Sequence, residues 1–358
     1  MPGILRASPM SLFAQLLRRR ARAPLVSVVV ASYNHAPFVQ DCLRSALSQG
    51  IDDLEILVTD DGSTDATAQQ VAALGDPRIH LHAFAQNRGA CLAMNDALRR
   101  SRGRYIAVLN SDDLFLPGKL RRQIDFLEHN PQVGAVFGWP SFIDEQGQPF
   151  HDPAHKDHAV FHQPNRGRHQ WLRHFFDQGN ALCHPTALLR REVYQNVGLY
   201  DPRLAQVPDL DQWIRVCMRY DIHVLPEPLT AFRIRSGQQN ASGARPEVVR
   251  RDAWERADVL RHYLRLPPAQ LLQVFPEFAG QGAGQGASLV EQLACHALAL
   301  GTPFHQRFAL QAWFDALPAG GLLDAPGPAA APPAGGDPTA WRRYIAATAA
   351  ANPHRIGG

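Results

Sequence analysis

The 358-residue chain is expected to fold as an α/β protein, with a doubly wound, mostly parallel sheet flanked by helices and a C-terminal helical extension. Three observations predict this. From Pro24 to about Trp139, aliphatic and β-branched runs alternate with segments whose apolar residues recur at helical spacing. The strand-like runs are continuously apolar, as in strands covered on both faces. After Ala241 the pattern becomes helical only.

The first run, "LVSVVVAS", is a β-branched strand, and the segment after it to Gly50 sets Phe38, Cys42, Leu43, Ala46 and Leu47 on one helical face. "LEILVT" is a second strand and "TDATAQQVAAL" a second helix, with Ser63 or Thr64 as its expected cap. "RIHLHAF" is a third strand and "GACLAMNDALRRS" a helix. "YIAVLN" is a fourth strand, "PGKLRRQIDFLEHN" a helix with Pro117 near its start, and "VGAVFGW" a fifth strand.

Residues 144–179 read as irregular. His151, His155, His158 and His162 would share one face of a helix, which raises a metal site, but Asp152-Pro153 and the polar surroundings favour a loop. Order returns from Gly179 to Arg235, around "ALLRREVY", "LDQWIRVCMRY" and "IHVLPEPL". Further helices are expected in "EVVRRDAWERADVLRHYL", around Leu289 to Leu300 and around Phe304 to Leu317. The expected division is a basic leader over 1–23, a main domain over 24–242 with halves at 24–140 and 141–242, and a helical extension over 243–317. A Pro/Gly/Ala-rich linker and short helix complete it over 318–358.

Composition narrows the function. A net charge of +3 is too small to argue for nucleic acid, and 45% hydrophobic with 19% charged residues suits a globular chain with a sizeable core. Five dispersed cysteines (Cys42, Cys91, Cys183, Cys217 and Cys295) contain no C-x-x-C pair and fit reduced cytoplasmic thiols. No apolar run approaches a membrane span. The basic run Arg18 to Arg22 follows a short apolar patch, the reverse of a secretory signal, so the leader is either a frayed tail or a helix touching an anionic membrane.

Two strands end in acid: "LEILVTDDGSTD" and "YIAVLNSDDLFLP". In an open sheet, ligands bind outside the carboxyl ends of the strands. Carboxylates converging there repel unless a cation or a hydrogen-bonded ligand lies between them. Mg²⁺ or Mn²⁺, held by one or two carboxylates and by substrate phosphates, resolves that conflict. The chain has no G-x-G-x-x-G after the first strand, no G-x-x-x-x-G-K-[ST] and no G-x-S-x-G, which removes the dehydrogenase, P-loop and hydrolase readings. A turn merely capped by Asp60, Asp61 and Ser63 is the plain structural alternative.

"SVVVASYNHAPFVQDCLRSALSQ", "DDGSTD", "NRGACLAMNDAL" and "GRYIAVLNSDDLFLPGKL" together resemble the nucleotide-sugar-binding half of family 2 glycosyltransferases, which have the GT-A fold. "HPTALLRREVYQNVGLYDP", "PDLDQWIR" and "LPEPLTAFRIR" resemble that family's acceptor-side segments in order, so the resemblance covers about Pro24 to Ser242.

The resemblance implies a set of roles. Asp61 would contact the nucleotide base and Tyr33 stack on it, with Asp60 holding the loop. Asp112, third in "NSDD", would be the metal ligand opposite the diphosphate. Asn110 stands where the family usually has Asp and would reach a ribose hydroxyl, while Asp113 braces the following loop or the sugar. Arg88 lies near the diphosphate or is simply solvated. Asp209 takes the place of the catalytic base, with Pro208 where a Glu is usual. Asp211 falls in the first turn of its helix and is more structural than catalytic. His184 is an acceptor-side residue or a satisfied core histidine, and Arg235 stands where a site-edge His is common. Trp213 reads as packing.

The expected activity is inverting transfer of a sugar from a metal-bound nucleotide-diphosphate sugar, UDP-linked in preference, to a glycan, lipid-linked or protein acceptor. The expected place is the cytoplasm, with peripheral contact at the inner face of the membrane. The alternatives are a catalytically idle relative, kept in view by Asn110, Pro208 and Arg235, and a sugar nucleotidyltransferase, which would need a Gly-rich basic loop where "ASYNHAPF" stands.

Overall fold

The computed structural model describes residues 23–150, 152, 156–236, 245–280 and 288–316. The strands and helices in chain order are β1 (Val26–Ser32), α1 (Val39–Leu47), β2 (Leu54–Asp60), α2 (Thr67–Ala72), β3 (Ile79–Ala83), α3 (Ala90–Arg100), β4 (Tyr105–Val108), β5 (Leu114–Phe115), α4 (Lys119–His129) and β6 (Val133–Ile143). They continue with α5 (Lys156–Phe161), α6 (Arg168–Asp177), β7 (Leu188–Arg190), α7 (Arg191–Val197), α8 (Pro208–Cys217) and β8 (Asp221–Arg233). The extension contributes α9 (Pro246–Val259), α10 (Pro268–Val274), α11 (Leu289–Leu300) and α12 (Pro303–Ala316).

The eight described strands form one sheet in the order β3-β2-β1-β4-β7-β6-β8-β5. β1 pairs in parallel with β2 and β4, β2 with β3, and β6 with β8. The short β7 runs antiparallel between β4 and β6, and β5 runs antiparallel to β8. The sheet is therefore mixed where β7 joins its two halves.

Side-chain alternation explains why both faces are covered. Val26, Val28 and Val30 of β1 pack with Ile56, Val58, and Leu43 and Ala46 of α1 on one face. Val29 of β1, Leu57 and Ile106 pack on the other with α3, α6, α8 and the extension helices. Burial on both faces is what a continuously apolar strand needs. Trp213 is fully buried, edge-on to Phe137 at 4.8 Å between ring centroids, and serves as core.

Two local expectations are corrected. α2 is not capped by Ser63 or Thr64: its N-cap is Ala66, which makes no side-chain cap, and Asp65 instead accepts from the Thr67 amide at 2.9 Å. Ser63 and Thr64 are drawn away to Asp60 and Asn34. The segment read as irregular holds α6, whose buried Trp171, Leu172, Phe175 and Phe176 recur at helical spacing. His162 is exposed there, His151 and His155 lie outside the described residues, and so does the side chain of His158. The leader over 1–22 and the segment from 317 onward also lie outside them. Among the described residues no helix is long and apolar enough to cross a membrane.

Candidate active site

The carboxyl ends of β1, β2 and β4 lie side by side in the sheet, and the "NSDD" turn that follows β4 is joined to the end of β8 through Asp113 and Arg233. Asp60 and Asp61 do different work. Asp60 accepts from Ser63 at both its amide (2.9 Å) and hydroxyl (2.6 Å), and from the Ser32 hydroxyl at 3.1 Å. Asp61 turns the other way, accepting from the amides of Arg88 at 2.7 Å and Gly89 at 2.9 Å, and is 2% exposed. Gly62, directly after Asp61, sits at φ +70°, and a Cβ there would run into the Gln86 backbone, so this turn requires glycine. Asn34 at φ 52° accepts from the Thr64 amide and ties the two loops together. Tyr33 is left 42% exposed. Arg88 is exposed, with its guanidinium 5.0 Å from the Phe84 ring centroid.

In the "NSDD" turn, Asp113 is the buried member. It accepts from Asn110 Nδ2 at 2.8 Å and from the Arg233 amide at 2.7 Å. Burial, and then the Asp112 charge, push its carboxyl well above the usual range. Asp112 Oδ2 lies 3.9 Å from His35 Nε2, and its side chain keeps 13% exposure. His35 is fixed by its neighbours: Arg235 approaches Nε2 at 3.0 Å, so that nitrogen accepts, and Nδ1 donates to Ser111 Oγ at 2.7 Å. Burial lowers the His35 pKa, with Arg235 adding to the effect and Asp112 opposing it, which favours the neutral ring. Arg233 is a buried staple, donating Nε to the Asp112 carbonyl and Nη1 to the Asp144 carbonyl, each at 2.7 Å.

Asn110 Oδ1 lies 3.4 Å from His184 Nδ1, and His184 Nε2 is 2.8 Å from the Tyr200 hydroxyl. Because Asn110 spends its amide hydrogen on Asp113, His184 carries its proton on Nδ1 and accepts from Tyr200 on Nε2. Burial lowers the His184 pKa to about 4, so it is neutral near pH 7. Its ring also lies 5.9 Å from that of Trp213, which brings α8 against this cluster.

Asp209 opens α8. Its Oδ2 accepts from Asn180 Nδ2 at 2.6 Å and its Oδ1 from the Leu210 amide at 2.8 Å. Burial raises its pKa to about 6, against the Leu210 hydrogen bond and the Arg256 charge. That value suits a general base: largely ionised at pH 7, yet with real proton affinity. Asp211, two residues on, is buried and bonded to Arg215 at 2.6 Å and His262 at 2.7 Å. Burial opposes its ionisation, but His262 and Arg215 bring its pKa below the usual value. It belongs to the framework.

A hard divalent cation fits this donor set in one way. Among the described residues no three His, Cys, Asp or Glu side chains gather to hold an ion on protein ligands alone. Asp112 offers one partly exposed carboxylate, and Asp113 is turned inward, so the remaining ligands would be ligand oxygens and water, as Mg²⁺ and Mn²⁺ accept.

The sequence reading missed Asn180, His35, Tyr200 and the extension residues Glu255, Arg256 and His262. His35 follows directly on Tyr33-Asn34, so its place in the sequence was the one available signal. The others bear on the site only through tertiary contacts.

Residues 27–198 match the model of Glycosyl transferase family 2. An uncharacterized glycosyltransferase of Methanocaldococcus jannaschii is 27% identical over 216 residues, 59% of this chain and 71% of that one. The putative teichuronic acid biosynthesis glycosyltransferase TuaG of Bacillus subtilis is 38% identical over 129 residues, 35% of this chain and 50% of that one. The succinoglycan biosynthesis protein ExoO of Rhizobium meliloti is 46% identical over 104 residues, 29% and 30%. Among solved structures, residues 1–349 of S. aureus TarS in complex with UDP-GlcNAc superpose with a TM-score of 0.55 at 17% identity, covering 81% of this chain and 80% of that one. The shared architecture is the GT-A fold.

Proposed function

Through residues 27–198 this chain is a glycosyltransferase of family 2, and from that premise we propose that it is an inverting enzyme using a nucleotide-diphosphate sugar and a divalent cation. The observation that carries the reading is the division of labour in the "NSDD" turn. Asp113 is buried and each of its oxygens accepts an internal hydrogen bond, while Asp112, in the same turn after β4, keeps a partly exposed carboxylate beside His35. On this reading Tyr33 flanks the base; Asp61, expected to contact that base, has its two oxygens on the amides of Arg88 and Gly89 and instead holds their loop; and Asp112 would hold the cation together with the diphosphate. When bound, that cation neutralises the charge of the leaving diphosphate. Asp209 takes the proton from the acceptor hydroxyl as that oxygen attacks the anomeric carbon, a role worth roughly 10²–10⁴-fold in rate. Neutral His184, held by Tyr200, and Arg235 line the acceptor side.

Surface-polysaccharide assembly is the role we infer, on the names of the TuaG and ExoO relatives; a lipid-linked or protein acceptor is compatible with the same chemistry. Such acceptors meet nucleotide sugars at the cytoplasmic face of a membrane, and we place the enzyme there. UDP is the favoured carrier. Calorimetric titration of UDP and of GDP, with and without Mn²⁺, tests the reading on wild type and Asp112→Ala. Metal-dependent binding of one nucleotide that disappears in the variant is expected. A wild type that binds neither nucleotide under either condition overturns the proposal.

A further inference from the structure

The loop Ala205-Gln206-Val207 runs directly into Pro208 and Asp209, and the way it is held is unusual. α8 has Val207 at its N-cap, which makes no side-chain cap, and Pro208 follows with no N–H of its own. The amides of Ala205, Gln206 and Val207 lie before the helix and outside any ladder, so as main-chain donors they take their acceptors from elsewhere. All three find the same one. Glu255, on α9 of the extension and 5% exposed, accepts from the amides of Ala205 at 2.9 Å, Gln206 at 2.7 Å and Val207 at 3.1 Å. Carboxylate-to-amide bonds of this kind are among the stronger ones, and three on one group fix a backbone in place.

The next residue of α9 packs against the segment that holds Asp209. Arg256, paired with Asp252 at 2.7 Å, lies against Gly179, where its guanidinium fills the place a Cβ would take and the φ of +87° separately favours glycine. Gly179 precedes Asn180, the residue that holds Asp209 Oδ2 at 2.6 Å. Two consecutive residues of α9 thus back both segments that set the Asp209 carboxylate, and His262, one turn beyond the helix, holds Asp211 in α8 at 2.7 Å.

We infer that Glu255 is a positioning residue for Asp209, and that the helical extension is a working part of the catalytic unit because α9 clamps the loop that delivers the base. This rests on the reading of Asp209 given above. A carboxylate supplied from about 50 residues downstream fixes a loop that could not cap itself.

The test uses the full chain as Glu255→Ala and Glu255→Gln, with Arg261→Ala as a control that breaks surface pairs to Asp315 and Asp258 without touching the loop. Amide hydrogen exchange of residues 205–207 is read first, since it does not depend on the activity. Exchange at least tenfold faster in Glu255→Ala, with partial protection restored by Gln, is expected. Retained protection overturns the clamp. Release of nucleoside diphosphate from UDP-glucose, UDP-N-acetylglucosamine and GDP-mannose, with Mn²⁺, is then followed as kcat and KM separately. Glu255→Ala is expected to lower kcat 10- to 100-fold with KM for the donor and UDP binding within twofold of wild type. Glu255→Gln should recover part of the rate, and Arg261→Ala should match wild type. Unchanged kcat in a Glu255→Ala protein whose loop has lost protection overturns the positioning role. Wild type that releases nucleotide from none of the donors and binds neither UDP nor GDP overturns the glycosyltransfer reading instead, and the assignment to Asp209 with it, while the exchange result still decides the clamp.

Discussion

Asn180 donates its amide hydrogen to Asp209 across 2.6 Å, from a residue 29 positions earlier in the chain. The contact orients one carboxylate oxygen and leaves the other on the Leu210 amide, so the proposed base would be aimed before any acceptor arrives. A donor to the charged form favours ionisation. Asn180→Ala should therefore raise the pH at which activity is half lost, above the value of about 6 set by burial of Asp209, and lower kcat at pH 7 by about tenfold. A pH–rate profile on both proteins checks this, and coincident acid limbs would refute it.

Asp209 itself makes a second, oppositely signed prediction. A base must be ionised, so activity is present above about pH 6 and lost as pH falls through it. Stability runs the other way. The folded-state pKa is raised above the usual carboxylate value, so ionisation costs folding free energy; the cost is full above about pH 6 and vanishes below the unfolded-state value. Asp209→Asn should abolish turnover, by about 10²-fold or more, while showing a Tm at pH 8 no lower than wild type. The difference in Tm should shrink toward pH 4. Thermal unfolding across that range decides the matter.

Which of these features the sequence could reveal follows from how far apart their parts lie. β1, β2 and β4 were legible because continuous Val, Ile and Leu runs mean burial on both faces. β5 and β7, with two and three residues, were not, since they exist only by pairing with β8, β4 and β6. β8 carries Pro226 and Pro228 within a 13-residue strand, tolerated where its register against β6 shifts beside Trp139. In the site, Asp112 stands out because a carboxylate at a strand end is a local pattern, whereas Asp209 is reached only through the resemblance carried by "PDLDQWIR". The Arg235–His35 contact spans 200 residues and the Glu255 clamp about 50, and no local pattern records either.

Asn110 stands where the family usually has Asp, and its surroundings supply a reason. Its Nδ2 hydrogen is donated to Asp113 at 2.8 Å, and Asp113 is a buried carboxyl already pushed up by burial and by Asp112. Asn110→Asp would replace that donor with a carboxylate facing another carboxyl. The variant should lose roughly 1–3 kcal/mol of stability at pH 8, as for a buried acceptor left without its donor. The loss should be recovered as pH falls and one of the pair takes up a proton. Urea unfolding at pH 8 and pH 5 reads the effect, and equal losses at both would point to a cause other than charge.

Asp211 is predicted to matter for folding rather than for chemistry. His262 and Arg215 both hold it, and its pKa is lowered despite burial, so its contribution is present above the usual carboxylate pKa and is lost as pH falls through the folded value. His262→Ala should cost about 1–3 kcal/mol near pH 7 by leaving a buried carboxylate short of a partner, with kcat changed less than threefold. A large fall in kcat without loss of stability would move Asp211 into the catalytic machinery.

Gly179→Ala tests the contact between the extension and the Asn180 segment most directly. Two penalties are combined in that substitution. At φ +87° a non-glycine backbone is strained by roughly 1–2 kcal/mol, and the new Cβ would collide with Arg256 Nη1. The steric part can be relieved by truncating the arginine, while the backbone part cannot. Arg256→Ala should therefore rescue some of the Gly179→Ala defect, giving a coupling of about 0.5–2 kcal/mol in a double-mutant cycle read by urea unfolding. The same cycle in kcat should show coupling of the same sign, because displacement of Gly179 moves Asn180 off Asp209. Strict additivity in both measurements would mean that α9 and the Asn180 segment are mechanically independent, contrary to the close packing of Arg256 on Gly179.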